Sequence, residues 1–414
     1  MSTIAAPRAA GWRTPALIIA CGCVISFIAF GVRSGSGLFL SPISQELGWG
    51  REVFALSIAL QMLVWGACVP VAGAIADKWG SGRVLATGAV LYGAGFALMA
   101  YSSEPWHMHL TAGALVGMGL AGTSFTIVLA VLARIVRPER RTFTVGVCTA
   151  FTSLGQFVIL PLGQGFISAY GWHTAAMILG AIALCMLPFT AVVRSNGRPP
   201  AGIVDQPLSH ALSEAFAHRS YVLVVVGFFV CGFQLFFILN HLPSYLSDKG
   251  LPPWVASWAL ALVGLGNVAG GILAGYAGAR WSRHKRVSLA LIYLARSVLT
   301  VLFIFLPLTP ATTMIYGGMM GLLWLSTVPL TQGLVAQFFG LRWLATLFGI
   351  AFFSHQVGGF LGVWLGGLLF DLYKSYDIVW WLNIVLGVFA AIVHMPIREV
   401  PSPRLAAAAA AGAR

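Results

Sequence analysis

Two arginines stand inside long apolar stretches, Arg33 in the first and Arg296 in the ninth. A charge at membrane depth costs at least about 2.5 kcal/mol, so such a residue faces a bundle interior or a wet cavity and usually acts there. A guanidinium holds a carboxylate through two parallel N–H donors, a geometry that lysine does not reproduce. For Arg33 the competing reading is a side chain that snorkels to the nearer membrane face. For Arg296 it is a structural role, bonded to Tyr293 or to carbonyls and hydroxyls of neighbouring helices. Polar residues in other apolar stretches complete the candidate set: Gln234, Asn240, Asn267, His355 and Gln356. His355 is either a proton acceptor, with an ordinary pKa of about 6.5, or a neutral ring bonded to a neighbouring helix. Adjacent His355 and Gln356 project about 100° apart on a helix, so one of the two is expected to face a cavity. Trp324 and Phe39 are candidates for packing on a flat ligand, against the plainer reading of helix packing. Gln156 is a further candidate, and Thr123, Ser124 and Thr126 are weaker ones, because hydroxyls in membrane helices commonly bond their own backbone.

The stretches that carry these residues dominate the chain. It has 414 residues, 59% hydrophobic and 8% charged, and a mean hydropathy of +0.89. A soluble domain carries about 25% charged residues, so a water-soluble fold does not account for it. A crossing needs roughly 20 apolar residues. Twelve such spans are read at roughly 15–42, 53–76, 84–101, 107–133, 143–167, 173–193, 221–246, 254–279, 287–306, 311–338, 345–370 and 378–396. The first is read as a span, not a cleavable signal, because no small-residue cleavage site follows it. The predicted fold is an all-α membrane protein of twelve helices in two six-helix bundles. Residues 1–194 form the first bundle, 195–220 a polar linker with a short surface helix over 208–217, 221–398 the second bundle, and 399–414 a tail containing the polyalanine at 406–411.

The net charge of +13 does not gather into a nucleic-acid-binding face. Of 24 lysines and arginines, two lie within spans, three (Arg51, Lys249 and Lys374) fall on one side, and nineteen on the other. Bases mark the cytoplasmic side, which puts both termini there. All eleven acids lie in loops or at span ends. A core with bases and no acids favours anions or neutral solutes, and it lacks the carboxylate that a cation pump uses. The six cysteines fall in apolar runs without metal-ligand spacing, and neither a metal nor a cofactor is expected. His-Glu-x-x-His, paired intramembrane aspartates and an activated serine are missing, which leaves an intramembrane enzyme as a remote alternative.

After the second span comes Gly73-Ala-Ile-Ala-Asp77-Lys78-Trp-Gly80-Ser-Gly82-Arg83. This string resembles the loop between the second and third helices of the major facilitator superfamily, with one extra residue before Arg83. A degenerate echo follows in the second half, from Gly271 to Gly275 and on to Arg280, Arg283, Lys285 and Arg286. Gly31 to Pro42 with Glu46 to Arg51, and Phe348 to Gly358 with Gly366, Gly367 and Asp371, resemble the monocarboxylate-transporter-like and organic-anion branch. The resemblance implies a secondary transporter of the inner membrane, a functional monomer in contact with lipid, working by alternating access. Helices 1, 4, 5, 7, 8, 10 and 11 would line the cavity and 3, 6, 9 and 12 would be peripheral. The branch usually carries an arginine in the eighth helix, where this chain has Asn267 nearby. The function expected is transport of a small, monocarboxylate-like organic anion. The alternative is uptake of a larger neutral or weakly acidic aromatic solute such as a vitamin.

The resemblance makes Gly73, Asp77, Lys78, Gly80 and Arg83 a conformational motif. Asp77→Asn is therefore expected to slow turnover and shift the balance of conformations while leaving substrate binding intact. Lost binding with an unchanged conformational balance would remove that role.

Overall fold

The computed structural model describes residues 13–135, 138–194, 207–280, 284–340 and 343–405. Every regular element among them is helical. The first half runs through α1 (Pro15–Ser34), a 3₁₀ turn (Ser36–Phe39), α2 (Leu40–Leu47), α3 (Arg51–Trp79) and α4 (Ser81–Met99). It continues with α5 (Pro105–Met108), a π-helical segment (His109–Leu115), α6 (Val116–Gly122), α7 (Phe125–Ile135), α8 (Pro138–Leu184) and α9 (Leu187–Val192). The second half comprises α10 (Leu208–Ala217), α11 (Arg219–Asp248), α12 (Pro253–Arg280), α13 (Lys285–Phe305), α14 (Pro310–Trp324), α15 (Thr327–Phe339), α16 (Leu344–Tyr373) and α17 (Asp377–His394).

Among the described residues, 11 helices are long and apolar enough to cross a membrane, and the one over Gly146–Val192 has 47 residues. At 1.5 Å per residue that is about 70 Å, twice the roughly 30 Å of hydrocarbon, so it holds the fifth and sixth crossings. They part at Gly171, whose φ of 78° and ψ of 165° are not helical. Only glycine adopts that combination without strain.

Breaks inside the other spans are matched by side chains. The π segment after α5 packs on α3, where Gln61 Nε2 donates to the Ala112 carbonyl at 3.0 Å. α1 begins at Pro15, with the Thr14 hydroxyl accepting from Leu17 N at 3.2 Å, an N-cap that fixes its start. α10 occupies the range expected for the linker helix; it buries Ala211 and Ala215 and is tied to the segment after α17 by Arg404 Nε and Glu214 Oε2 at 3.0 Å.

The two halves meet along α3 with α16 and α8 with α12. α3 starts at the end of the bundle where Arg51 meets Asp248 and Asp371, the distal end. Its far terminus lies at the proximal end, where Arg13 Nη2 donates to the carbonyls of Val192 (2.6 Å) and Arg194 (2.7 Å). Among the described residues, the hydrogen bonds that cross between the halves lie at the distal end or near mid-depth. Ser41 meets Ser244 at 3.3 Å, Arg51 grips Asp248 at 2.6 and 2.7 Å, Trp364 Nε1 donates to Glu52 at 3.1 Å, and Gln156 Nε2 donates to the Leu260 carbonyl at 2.8 Å.

Replacing Gly171 with alanine is expected to cost about 1–3 kcal/mol, because the site demands a glycine-only conformation. Gly165→Ala, where a Cβ has open space, is the control and leaves stability unchanged or raised. Thermal unfolding of the two variants in detergent checks the difference.

Candidate functional site

Arg33 sits in the last turn of α1 and is 4% exposed, so it does not snorkel to a membrane face. Helix α1 ends one residue later, and the Ser36 hydroxyl donates to the Arg33 carbonyl at 2.9 Å to close the following turn. The guanidinium lies between two rings from opposite halves: Trp65 of α3 at 4.6 Å and Phe236 of α11 at 4.5 Å from the ring centres. Phe30 is 5.8 Å away. Cation–π contacts of this kind return about 0.5–2 kcal/mol each, a part of the desolvation cost. Among the described residues the group makes one hydrogen bond, a weak one from Nη2 to Met62 Sδ at 3.5 Å. Its Nε is buried with no partner, and no carboxylate pairs with it among the described residues.

Among the described residues, Arg296 Nε, Asn267 Nδ2 and Trp380 Nε1 are also buried without a partner, and two further such donors lie where α3 packs on α16. Trp65 Nε1 has no partner, nor has Gln356 Nε2. Gln356 is fully buried and packs on Gly66, where an added Cβ would meet it at 3.0 Å. Its Oε1 lies 3.2 Å from His355 Nδ1. The His355 ring stacks on Phe352, itself 5.5 Å from Trp65, and touches Phe236 at 5.4 Å. The Asn240 amide donates to its own helix at the Phe236 carbonyl, 2.8 Å, and leaves Oδ1 without a partner. Four predicted residues, Arg33, Asn240, His355 and Gln356, thus gather where α1, α3, α11 and α16 meet. Both members of the His355–Gln356 pair are buried there, although their helix positions point apart.

The other predicted ligands are elsewhere. Arg296 is 1% exposed and donates from Nη2 to the carbonyls of Leu323 (2.5 Å) and Trp324 (2.7 Å), and from Nη1 to Cys231 Sγ at 3.3 Å. Those carbonyls end α14, just before the break that separates it from α15. Across the same break, Asn267 Oδ1 accepts from Leu325 N at 3.2 Å. Arg296, Asn267 and Trp324 therefore meet at a helix discontinuity, with the cation at the negative end of the α14 dipole. Gln234 and Asn383 exchange amide-to-carbonyl hydrogen bonds at 3.0 and 3.3 Å, which joins α11 to α17. Thr123 bonds the Gly119 carbonyl of its own helix at 2.9 Å, and Phe39 packs edge-on against Phe96.

Trp65 and Phe236 were not among the residues singled out from the sequence. Trp65 follows Met62 by one helical turn, so both face Arg33, but only the packing of α3 against α1 and α11 gives that spacing a meaning. In the motif, Gly80 has φ 95° and ends α3. Gly82 lies inside α4 against Arg194 and the Thr190 carbonyl, so it serves close packing and not the reversal itself. Gly73 has open space beside it, Lys78 lies 5.1 Å from the Trp79 ring, and Arg83 is exposed. The side chain of Asp77 is outside the described residues.

The chain matches the Major Facilitator Superfamily over residues 22–363. It belongs to that superfamily. Monocarboxylate transporter 11 of Homo sapiens is 26% identical over 410 residues, 96% of this chain and 86% of the relative. The uncharacterized MFS-type transporter YcxA of Bacillus subtilis is 23% identical over 372 residues, covering 88% and 90% of the two chains. The crystal structure of a bacterial homologue of the human lysosomal transporter Spinster, inward-facing and unoccupied, has 13% identity and a TM-score of 0.71, over 93% of this chain and 97% of that one. As a major facilitator protein, the chain is a multi-pass membrane transporter and not an enzyme, and its fold is twelve helices in two bundles.

Arg296→Met is expected to lower stability by about 2–3 kcal/mol, since it strips a charged donor from two buried carbonyls. Thermal unfolding of the purified variant measures this. Unchanged stability combined with lost ligand binding would instead make Arg296 a ligand contact.

Proposed function

We propose that this chain is a secondary active carrier that moves a small, monocarboxylate-like organic anion across the inner membrane by alternating access. The observation that carries the reading is the buried Arg33 guanidinium without a counter-charge. Rings from both halves lie within 4.6 Å of the guanidinium carbon, and in this reading a ligand approaches the edge that carries the N–H donors. A carboxylate fits that edge with two hydrogen bonds and supplies the missing charge. The unmatched donors of Trp65 and Gln356 serve the remaining polar atoms of the ligand, with Asn240 and His355 beside them. Trp65 and Gln356 come from different halves, so a ligand held between them would sit where rocking of the halves exposes it to either side.

In this reading the working unit is a monomer in contact with lipid. Its bundles are residues 1–194 and 221–398, joined by a linker over 195–220 and followed by a tail over 399–414. The nineteen bases that the sequence reading assigns to one side, Arg13, Lys78 and Arg286 among them, support a cytoplasmic proximal end with both termini inside. The arrangement described is then closed to the outside. Arg296, Asn267, Gln234 and Trp324 hold the second bundle together instead of touching the ligand.

The test is binding of monocarboxylates, dicarboxylates, aromatic acids and flavin-like neutral solutes to the purified protein, repeated with Arg33→Gln and Arg33→Lys. Binding of an acid should weaken by at least about tenfold in Arg33→Gln, the equivalent of 1.4 kcal/mol, and be partly kept in Arg33→Lys. Binding of a neutral aromatic solute that survives Arg33→Gln would overturn the anion reading in favour of a carrier for larger aromatic solutes, which the rings of Phe30, Trp65, Phe236 and Phe352 would suit.

A further inference from the structure

The α3–α16 seam is antiparallel. Arg51 and Glu52 lie against Asp371, Gly367 lies against Glu52 and Ala55, and Gly66 lies against Phe353 and Gln356. Continued in the same register, the pairing puts Gly73 opposite Gly349, and residue 77 opposite the first turn of α16. The distal and proximal halves of the seam differ. A Cβ on Gly367 would meet Ala55 at 2.6 Å and one on Gly66 would meet Gln356 at 3.0 Å, whereas Gly73 and Gly349 each have nothing within 4 Å. The helices are in contact as far as Gly66 and apart at Gly73.

At the closed end, Asp371 supplies a contact that no helix-internal group replaces. Its two carboxylate oxygens accept from Arg51 N at 3.0 Å and Glu52 N at 2.8 Å, the first two N–H groups of α3. Gly50, the residue before the helix, offers no side-chain cap, and a Cβ there would collide with the Asp371 carboxylate. Asp371 is therefore the N-cap of α3, provided from the other half of the protein and aligned with the positive end of the helix dipole. Asp77, in the last turn of α3, occupies the corresponding place at the other end of the same seam.

We propose that Asp371 is the positioning residue that latches the distal gate, and that α3 and α16 work as a seesaw. Closing the distal end seats Asp371 on the α3 N-terminus. Opening it strips α3 of its cap and lets Gly73 close on Gly349. The bidentate Arg51–Asp248 pair, in which Asp248 is one-third exposed, ties α3 to α11 and lies outside the α3–α16 seam. The inference rests on the alternating-access reading for the meaning of the two arrangements, but it does not depend on the substrate.

The experiment uses the full-length protein in membranes without added solute. Ser244→Cys, at the closed distal seam, reports distal opening through its rate of labelling by a membrane-impermeant maleimide, with the parent protein as background. Gly73→Cys with Gly349→Cys, in a second background, reports proximal closure through oxidative cross-linking by copper phenanthroline. Asp371→Asn is expected to raise distal labelling and proximal cross-linking together, labelling by about tenfold or 1.4 kcal/mol, with Asp371→Glu closer to the parent protein. Asp248→Asn should move both far less. Distal labelling that rises while cross-linking stays flat would show local fraying and overturn the seesaw. No change in either would remove Asp371 from the gate. A failure of the anion reading leaves both readouts unaffected, so the two proposals fail separately.

Discussion

Hydrocarbon offers no hydrogen-bond partner, so each polar group placed at membrane depth must be matched from within the protein or left at a cost of several kcal/mol. Several polar side chains in this core answer to that constraint with some of their atoms, while Arg296 Nε, Asn267 Nδ2, Gln61 Oε1, Gln234 Oε1 and Asn383 Oδ1 are buried without a partner. Arg296 and Asn267 match the carbonyls and the N–H released where α14 gives way to α15. Gln61 matches a carbonyl of the π segment, and Gln234 trades hydrogen bonds with Asn383. These residues let the helices break and still remain in the membrane. Arg33 is different. It is as deeply buried as the others, yet its strongest neighbours are the faces of two rings, and its edge is left without a carbonyl or a carboxylate.

The same constraint shapes the contact between the halves. A carrier's halves must separate and rejoin, so a dry, glycine-lined interface at one depth has to be paired with detachable polar contacts at the ends. The α3–α16 seam has both. Tight backbone approach at Gly66 and Gly367 gives van der Waals contact, and the Asp371 cap at the distal end is a strong but solvent-replaceable contact. When water takes over from the carboxylate at the membrane surface the helix N-terminus loses about 1 kcal/mol, whereas the same exchange at mid-depth is not available. Polar contacts that water can replace belong at the ends of the helices, which is where Glu52, Asp248 and Asp371 lie.

Much of this architecture is legible in the residue order, because it follows from local properties. Stretch length and hydropathy set the number of crossings, and the spacing of glycine, acid and bases around Gly73 to Arg83 marks one loop. The Leu208–Ala217 helix is visible as a short stretch that follows Pro199, Pro200 and Pro207 in the polar linker. Even the two buried arginines stand out, because charge in an apolar run is rare enough to notice. The sequence did not separate their roles. Arg33 and Arg296 have the same side chain in similar surroundings, and the difference lies in what α3, α11 and α14 bring to them: aromatic faces in one case, the open carbonyls of a broken helix in the other.

Helix positions, membrane-facing periodicity and the distribution of bases were thus determined by sequence alone, since each depends on residues within a few turns of one another. Which polar groups are satisfied was decided by tertiary structure. The Trp65–Arg33–Phe236 sandwich, the Asn267 contact to Leu325 and the Asp371 cap on α3 each join residues from separate helices. Nothing in the spacing along the chain encodes them, because helix register and crossing set which side chains meet, and these are fixed by the packing of the whole bundle.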